Sequence, residues 1–324
     1  MVFERQDLQR VRLAAGADPM WELALGVQKS RVRQPPPPFV GWRQECDRRL
    51  ARGVRTEAMS PLRDLVLSRG AFPDTLTPPG LVADIDAGCE AVFCTPRHRL
   101  REDLAAVFAQ RVVPTWVRSL AAGDQEMKSG VVRALRAAHD LLIAPHWAEL
   151  REVVAADHAV RTLQLAGYGV NALLANIPGV LNWDGRVLRM GYPVNRTVYL
   201  RGRGLVLQPS YFCWGSPVTW IDPELPPVLV FPVSHHQPRP EVTVSARLVA
   251  LLGRTRAECL RVLLAPRSTT ELAERLGTSV GTASKQATVL RETGLVTSDR
   301  HGAVVLHSTT SLGLALLIGD ATER

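Results

Sequence analysis

Long apolar runs are missing from this chain of 324 residues. Nowhere do 18 uncharged apolar residues occur together, and residues 1–13 alternate charged with apolar side chains. A helix that spans a membrane needs about 20 mostly apolar residues, and a secretory signal peptide needs a continuous apolar core. The sequence therefore predicts a cytoplasmic protein without a membrane partner.

Cysteine and lysine are both scarce. The cysteines are odd in number and scattered, which favours reduced thiols over a disulfide framework. Only three of the 39 basic residues are lysines, and the formal net charge is +8. A basic chain favours a polyanionic partner. An arginine-rich chain with abundant alanine, leucine, valine and proline also fits the coding bias of a GC-rich genome, so charge gives only weak support.

Motifs for catalysis and for metal binding are absent as well. The paired glycines of residues 167–169 and 202–204 lack the context that holds a phosphate, and residues 215–217 lack the second glycine of a nucleophile elbow. Soft-metal sites need several converging thiolates or imidazoles, but residues 271–276 contain neither. We therefore expect no enzyme activity, no catalytic residue, no metal and no cofactor.

Two short helices separated by a tight turn are predicted near the C-terminal end. Ser268 precedes an apolar-periodic run, and Glu271 has the spacing of a capping box. Gly277 ends this helix, and Ser279 is placed to cap a second helix that continues to about Thr293. The arrangement is typical of a helix-turn-helix.

A β-hairpin is predicted directly after the second helix. Residues 295–298 and 303–307 are rich in β-branched side chains, as strands usually are, and residues 299–302 join them. This hairpin is expected to form a wing beside the helix-turn-helix.

These segments resemble the winged helix-turn-helix of the ArsR type of bacterial repressors. The resemblance covers roughly the last quarter of the chain and rests on residues 251–256, 271–277, 282–284 and 289–296, in matching order and spacing. It implies a DNA-binding domain at residues 242–324. Residues 11–13 and 19–22 are similar to the start of longer regulators of this type, which implies a first region that responds to a ligand or dimerises.

The first turns of the second helix carry the side chains that a DNA major groove would meet. Lys285 suits guanine, Gln286 suits adenine, and Thr282 suits a thymine methyl or a phosphate. The small side chains of residues 281–284 would let the helix approach closely. The alternatives are that this is only the solvated face of a small helical domain, or that the domain binds protein instead of DNA.

Phosphate contacts are expected from basic side chains around this helix, because such contacts set register without specifying sequence. Arg300 and His301 lie at the predicted wing tip, and Arg267 and Arg291 flank it. The complete set of predicted DNA-contacting residues is Ser279, Gly281, Thr282, Ser284, Lys285, Gln286, Arg291, Arg300, His301 and Arg267.

The first two-thirds of the chain change their hydrophobic period near Gly179. Residues 1–178 predict a mostly helical region, with the longest helix from Pro145 to about Asn176. Residues 179–233 predict a small antiparallel sheet packed on it, and residues 234–241 predict a linker. The fold class is therefore α+β. Strands are predicted at residues 180–183, 186–190, 197–200, 204–208, 211–214, 218–221 and 228–232.

Aromatic side chains are frequent in and beside this predicted sheet. Flat rings give a large contact area at a small cost in rotamer entropy, so an aromatic-lined pocket suits a planar apolar ligand. The alternative is that the rings fill the core. The predicted ligand-binding residues are Trp147, Trp183, Tyr199, Phe212, Trp214 and Trp220.

Together these features predict a homodimeric transcription repressor that binds a pseudo-palindromic operator in double-stranded DNA and responds to a planar aromatic effector. Two half-sites about one helical turn apart supply the specificity that a single recognition helix lacks. The alternative is a winged-helix module that binds DNA or protein, with an N-terminal assembly platform and no small-molecule effector.

Overall fold

The computed structural model describes residues 1–51, 57–80, 82–191, 195–233, 246–263, 267–301, 304–310, 312–313 and 316–317, without the side chains of residues 57, 246, 299–301, 304 and 308. It divides into two compact units, Met1–His235 and His236–Arg324. The boundary between the units falls among residues 234–241, the predicted linker, which itself lies outside the described residues.

The first unit combines helices with two small sheets. Its helices are α1 Arg5–Leu8, α2 Pro19–Ser30, α3 Val40–Ala51, α4 Ser60–Leu65, α5 Ile85–Phe93, α6 Arg97–Val107, α7 Thr115–Ala121, α8 Gln125–Ala138 and α9 Trp147–Ala175. A π-helical turn, His139–Ile143, follows α8. Its strands are β1 Val11–Leu13, β2 Val180–Trp183, β3 Leu188–Met190, β4 Leu205–Ser210 and β5 Val228–Pro232. The mixture of helices and small sheets agrees with the predicted α+β class.

The larger sheet is parallel, in the order β1-β4-β5. The prediction of an antiparallel sheet is correct for the β2–β3 hairpin and wrong for this one. The first strand pairs Val11 with Leu205, a partner so distant that local periodicity does not indicate it. The strands predicted at residues 197–200, 211–214 and 218–221 are not formed. Among the described residues, Tyr199 and Val218 take part in isolated β-bridges instead.

Both faces of the parallel sheet are covered. Leu229 and Phe231 of β5 belong to one apolar cluster together with Leu173 of α9. Val228 and Val230 point to the opposite side and belong to the cluster that contains α2. Parallel sheets are usually buried on both faces in this way, which is why β5 is a continuous apolar run and does not alternate with polar residues.

Helix α2 lies at the centre of the first unit. It is buried from Pro19 to Gln28, as expected of a helix that is apolar on all sides. The Asp18 carboxylate caps it by accepting hydrogen bonds from the backbone N–H groups of Met20 and Trp21, at 2.8 and 3.0 Å. These contacts satisfy amide donors that the first turn of a helix leaves free.

The second unit contains a compact set of helices and one antiparallel sheet. Its helices are α10 Ala246–Leu252, α11 Arg254–Val262, α12 Thr269–Leu276 and α13 Val280–Glu292, and its strands are β6 Arg267–Ser268, β7 Val296–His301 and β8 Val304–Thr309. The strand order is β6-β8-β7, and both pairings are antiparallel. The core of the unit is made of aliphatic side chains, among them Leu260, Leu272 and Leu290.

The five cysteines of the chain are free thiols. Within the described residues, no helix combines the length and the apolar character that crossing a membrane requires. The same residues contain no group of three or more His, Cys, Asp or Glu side chains arranged to hold a metal ion.

Candidate nucleic-acid interface

The connection between α12 and α13 is built from capping contacts. The backbone N–H of Glu271 donates to Ser268 Oγ at 3.2 Å, and the Glu271 carboxylate accepts from the backbone N–H of Ser268 at 2.8 Å. This is the predicted capping box. Gly277 then adopts a left-handed conformation, φ 61° and ψ 37°, in which a glycine has no Cβ to clash. The turn is therefore tight, and only three residues separate Leu276 from the start of α13 at Val280.

Helix α13 is held by one edge. Ser279 caps it, accepting a hydrogen bond from the backbone N–H of Thr282 at 3.2 Å. Ala283, Ala287 and Leu290 lie three or four residues apart and are buried in the core of the second unit. Residues at this spacing share one face of a helix. The opposite edge of α13 is therefore directed away from the core.

That opposite edge carries most of the predicted DNA-contacting residues, and they are exposed. Ser279, Gly281, Thr282, Ser284 and Lys285 all lie on the surface of the unit. A Cβ added at Gly281 would meet no atom within 4 Å outside the backbone of its own helix. The edge thus presents small polar side chains and one ammonium group to the surroundings.

Gln286, which was predicted to pair with adenine, makes a hydrogen bond within the protein. Its side chain is half-buried, and its Oε1 accepts a hydrogen bond from Arg256 Nε at 3.2 Å. A bidentate contact with adenine uses both the carbonyl and the amino group of the amide. In a bidentate contact with adenine, the Gln286 Oε1 would therefore be shared between Arg256 and the base, because a carbonyl oxygen has two lone pairs.

Arg256 is a residue that the sequence analysis missed. It lies in the first turn of α11, is exposed, and follows the exposed Arg254. Cations are unfavourable at the positive end of a helix dipole, so two arginines in a first turn were a signal for an anionic partner. The contact with Gln286 places the Arg256 guanidinium beside α13.

Arg267 is a correction to the predicted phosphate contacts. It lies in β6, and its side chain is only 8% exposed. Its Nε donates to the backbone carbonyl of Val262 at 3.2 Å, which ties the strand to the end of α11. A buried guanidinium that bonds to the protein backbone is a structural group, so we remove Arg267 from the candidate interface.

The hairpin agrees with the predicted one but has a longer first strand. Residues 299–301, predicted as part of the loop, belong to β7, where Arg300 pairs with Val305 and His301 with Val304. The side chains of Arg300 and His301 lie outside those described, so their predicted phosphate contacts stay predictions. Arg291, at the end of α13, is exposed.

His307 joins the hairpin to the helix pair. Its imidazole is 7% exposed. Nδ1 lies 2.8 Å from Ser298 Oγ of β7, and Nε2 lies 2.9 Å from Thr269 Oγ1 at the start of α12. Burial, and secondarily the charge of Arg291, lower the pKa of His307. A neutral imidazole donates through one nitrogen and accepts through the other, and hydroxyl groups can complement either tautomer.

The predicted aromatic ligand site is not assembled. Phe212 and Trp220 are buried in the core of the first unit, and Trp147 and Trp214 pack against the same cluster. The Trp220 indole N–H donates to the backbone carbonyl of Thr77 at 3.0 Å, so its polar atom is satisfied inside the protein. These rings fill a core, which was the alternative interpretation of the aromatic pattern.

The remaining two predicted ligand residues lie elsewhere. Trp183 packs edge-on against Phe3, with ring centroids 5.0 Å apart, and its indole N–H donates to Asn171. Tyr199 is 55% exposed. Two cavities among the described residues, one around Leu100 and one around Leu62, are lined by none of the six predicted aromatic side chains.

No relative identifies the chain. No known family model matches it, and neither a curated protein nor a solved structure is significantly similar to it. The geometry of α12, α13 and the hairpin therefore has to support any functional conclusion by itself.

Proposed function

We propose that this protein is a DNA-binding transcription regulator whose second unit is a winged helix-turn-helix of the ArsR type. The observation that carries the proposal is the division of α13 into two edges. Ala283, Ala287 and Leu290 fix one edge in the core, and the other edge exposes small polar residues and Lys285. A recognition helix needs both properties, because it must be rigidly held and still enter a major groove.

In this mechanism the N-terminal half of α13 lies in the major groove. Lys285 donates to guanine, and the hydroxyl groups of Thr282 and Ser284 contact bases or phosphates. Gly281 lets the groove wall come close to the helix backbone. Arg256 positions the Gln286 amide and carries a positive charge to the same surface, where it meets the phosphate backbone.

Two copies of the chain are proposed to bind one pseudo-palindromic operator. A single recognition helix contacts only a few base pairs, and two half-sites about one turn apart multiply the specificity. Leu251 and Leu312 of the second unit are 66% and 57% exposed, and a second copy would cover such apolar side chains. A repressor acts by occupying this operator. Light scattering of the full chain is expected to give twice the mass of the monomer.

The test starts from a random-sequence duplex library of about 30 base pairs, long enough for two half-sites. We expect enrichment of a pseudo-palindrome whose affinity falls steeply between roughly 50 and 200 mM salt. On the enriched site, Lys285→Ala should reduce discrimination against a mismatched base by about 1 to 3 kcal/mol. Arg99→Ala, which removes the same charge from the exposed surface of the first unit, serves as the matched control.

The outcomes separate the proposal from its alternatives. A library without enrichment, at every salt concentration, would contradict DNA recognition and favour a protein-binding module. If the library is enriched but Lys285→Ala discriminates against a mismatched base as well as the wild type does, the protein binds DNA, and the assignment of α13 as the recognition helix is wrong. We expect Arg256→Ala to weaken binding to all duplexes and to flatten the salt dependence, as the loss of one phosphate contact does.

A further inference from the structure

A cavity of about 260 Å³ opens in the first unit. It lies between the C-terminal end of α2, helices α3 and α4, and the π-helical turn after α8. It is well above the 150 Å³ or so of an engineered cavity that holds benzene. By that comparison, it has room for a ligand body of about ten non-hydrogen atoms.

The inner wall of the cavity is apolar. Leu62, Leu141 and Leu142 line it and are each no more than 4% exposed. The side chains of Val27, Leu50 and Met59 complete this wall. Apolar walls of this kind favour a hydrocarbon or an aromatic body over water, because burying such a body removes its apolar surface from solvent.

The rim of the cavity carries three arginines and one carboxylate. Arg43 is paired with Asp47, with Nε and Oδ1 3.1 Å apart. Arg31 and Arg63 also line the cavity, and neither has an ion pair with any carboxylate in the described part of the chain. The rim therefore has an excess of positive charge beside an apolar wall.

Arg31 is held in place at this rim. Its Nη1 donates to the backbone carbonyl of Arg63 at 2.6 Å and also to that of Val66. Its Nε and Nη2 have no hydrogen-bond partner among the described residues. Burial lowers the pKa of Arg31, and the charges of Arg63 and Arg111 lower it further, while the charge of Asp64 acts in the opposite direction. Crowded cations of this kind gain from a bound anion, to which a guanidinium can donate two parallel hydrogen bonds.

We propose that this cavity binds an amphipathic organic anion, with its carboxylate at Arg31 and Arg63 and its apolar body against Leu62, Leu141 and Leu142. The carboxylate supplies the negative charge that the rim lacks, and the body fills the volume. This inference goes beyond DNA recognition and does not depend on it, since the cavity lies entirely within the first unit.

Binding at this site is reversible. Cys46 also lines the cavity, but it is 1% exposed and burial raises its pKa to about 11. The thiolate is the nucleophilic form of cysteine, so at neutral pH this thiol is a packing group. The ligand is therefore retained by charge and apolar contact alone.

The site is tested by titrating the full-length protein with octanoate in a calorimeter and by following its melting temperature. Octanoate has ten non-hydrogen atoms and one carboxylate. We expect saturable binding of one octanoate per chain and a rise in melting temperature. Octan-1-ol, with the same chain and no charge, should bind at least tenfold more weakly, and acetate should not bind. No binding of octanoate at 10 mM, or equal binding of octan-1-ol, would overturn the proposal.

Variants locate the binding on the protein. Arg63 is exposed and lines the cavity, so Arg63→Gln should leave the protein folded and weaken octanoate at least fivefold. Arg99→Gln removes an exposed arginine far along the sequence and should bind as the wild type does. Met59→Trp places a large ring at the half-buried edge of the cavity and should abolish binding. Unchanged affinity in Arg63→Gln would place the octanoate elsewhere and refute the site.

Discussion

The two units build their cores from different side chains. Every Phe, Trp and Tyr of the chain lies before residue 236, and the second unit contains none. In the first unit the Phe212 ring lies 4.7 Å from Trp42 and 5.5 Å from Phe39. In the second unit the core consists mainly of leucine and alanine side chains, and α13 contributes Ala283, Ala287 and Leu290 to it. The small alanine side chains let α13 pack closely on its neighbours.

The units also differ in the polar groups that they bury. In the first, the Glu22 carboxylate accepts hydrogen bonds from the backbone N–H groups of Tyr211 and Phe212, at 2.8 and 3.0 Å. Burial raises the pKa of Glu22 to about 7 and that of Asp74 to about 7. In the second, burial lowers the pKa of His307. The two carboxylates of the first unit and His307 of the second should therefore contribute to stability with opposite pH dependences.

The largest expected effect is on the aromatic core. Phe212 is fully buried, and Phe212→Ala should cost about 3 to 5 kcal/mol in the free energy of unfolding of the first unit. Because all the tryptophans lie in that unit, urea unfolding followed by tryptophan fluorescence reports it directly. Hydrogen exchange detected by mass spectrometry reports both units at once.

The matched control is Leu260→Ala in the second unit, where Leu260 is also fully buried. It should speed hydrogen exchange in α11 to α13 and leave the fluorescence transition where it was. If Leu260→Ala shifts that transition as strongly as Phe212→Ala does, the two units unfold together, and the comparison between them fails.

The same contrast explains what the sequence could predict. Ser268, Gly277 and Ser279 contact residues within four positions of themselves, so the capping contacts of α12 and α13 follow from local spacing. The pairing of the parallel sheet does not follow from local spacing, because its paired residues Val11 and Leu205 lie far apart in the sequence. Local pattern fixes secondary structure, whereas strand direction depends on partners that lie far away in sequence.

The candidate site likewise combines features that local sequence predicts with features that depend on packing between distant elements. Exposure of the outer edge of α13 follows from helical periodicity, which the sequence contains. The burial of Arg267 and the bond between Arg256 and Gln286 come from packing between elements. The aromatic residues were assigned to a ligand because composition does not distinguish a lined pocket from a filled core, and Phe212 and Trp220 belong to the core.

The second largest effect is the pH dependence of the first unit. The folded-state pKa values of Glu22 and Asp74, about 7 each, lie above the ordinary values of 4.5 and 3.8. The folded state therefore retains protons that the unfolded state releases. Their stabilising contribution is complete below about pH 4 and is lost as the pH rises through 7. We expect the free energy of unfolding, measured by fluorescence, to fall by on the order of 3 kcal/mol from pH 5 to pH 8.

Single-site controls sharpen this result. Glu22→Gln and Asp74→Asn each remove one titrating group and should each flatten part of the pH profile, and the double variant should flatten most of it. The prediction fails if the free energy of unfolding of the wild type rises from pH 5 to pH 8, or if neither variant alters its pH profile. Either result would show that these carboxylates are ionised in the folded state without a cost in stability.

A smaller effect of opposite sign is expected in the second unit. The pKa of His307 is lowered in the folded state, so the unfolded state binds its proton first. The stability is complete above the ordinary histidine pKa of 6.5 and is lost as the pH falls below it, by less than the roughly 1.4 kcal/mol per pH unit that one proton can contribute. Protection of β7 and α12 against hydrogen exchange, corrected for intrinsic rates, should decrease between pH 7.5 and pH 5.5.

His307→Gln provides the control for this effect. Glutamine retains a donor and an acceptor for Thr269 and Ser298 but does not titrate. Protection in the variant should not change with pH beyond the intrinsic rates. If the protection of β7 falls equally at low pH in the variant and in the wild type, another group causes the loss. The two units would then not show the opposite pH dependences.

The smallest effect separates two glycines by their backbone conformations. Gly277 has φ 61° and ψ 37°, a left-handed conformation that asparagine tolerates. Gly169, where α9 is interrupted, has φ 77° and ψ 177°, a region that essentially only glycine adopts. A Cβ added at either glycine would meet no atom within 4 Å apart from its chain neighbours and the backbone of its own helix, so backbone strain decides the cost. Gly277→Ala should cost about 1 kcal/mol, and Gly277→Asn should recover most of that loss. Gly169→Ala and Gly169→Asn should lower the free energy of unfolding equally, as measured by fluorescence-detected unfolding.

Two outcomes would contradict this comparison. Recovery by asparagine at Gly169 would mean that α9 relaxes into a different turn there. No recovery at Gly277 would mean that the turn before α13 has another source of strain.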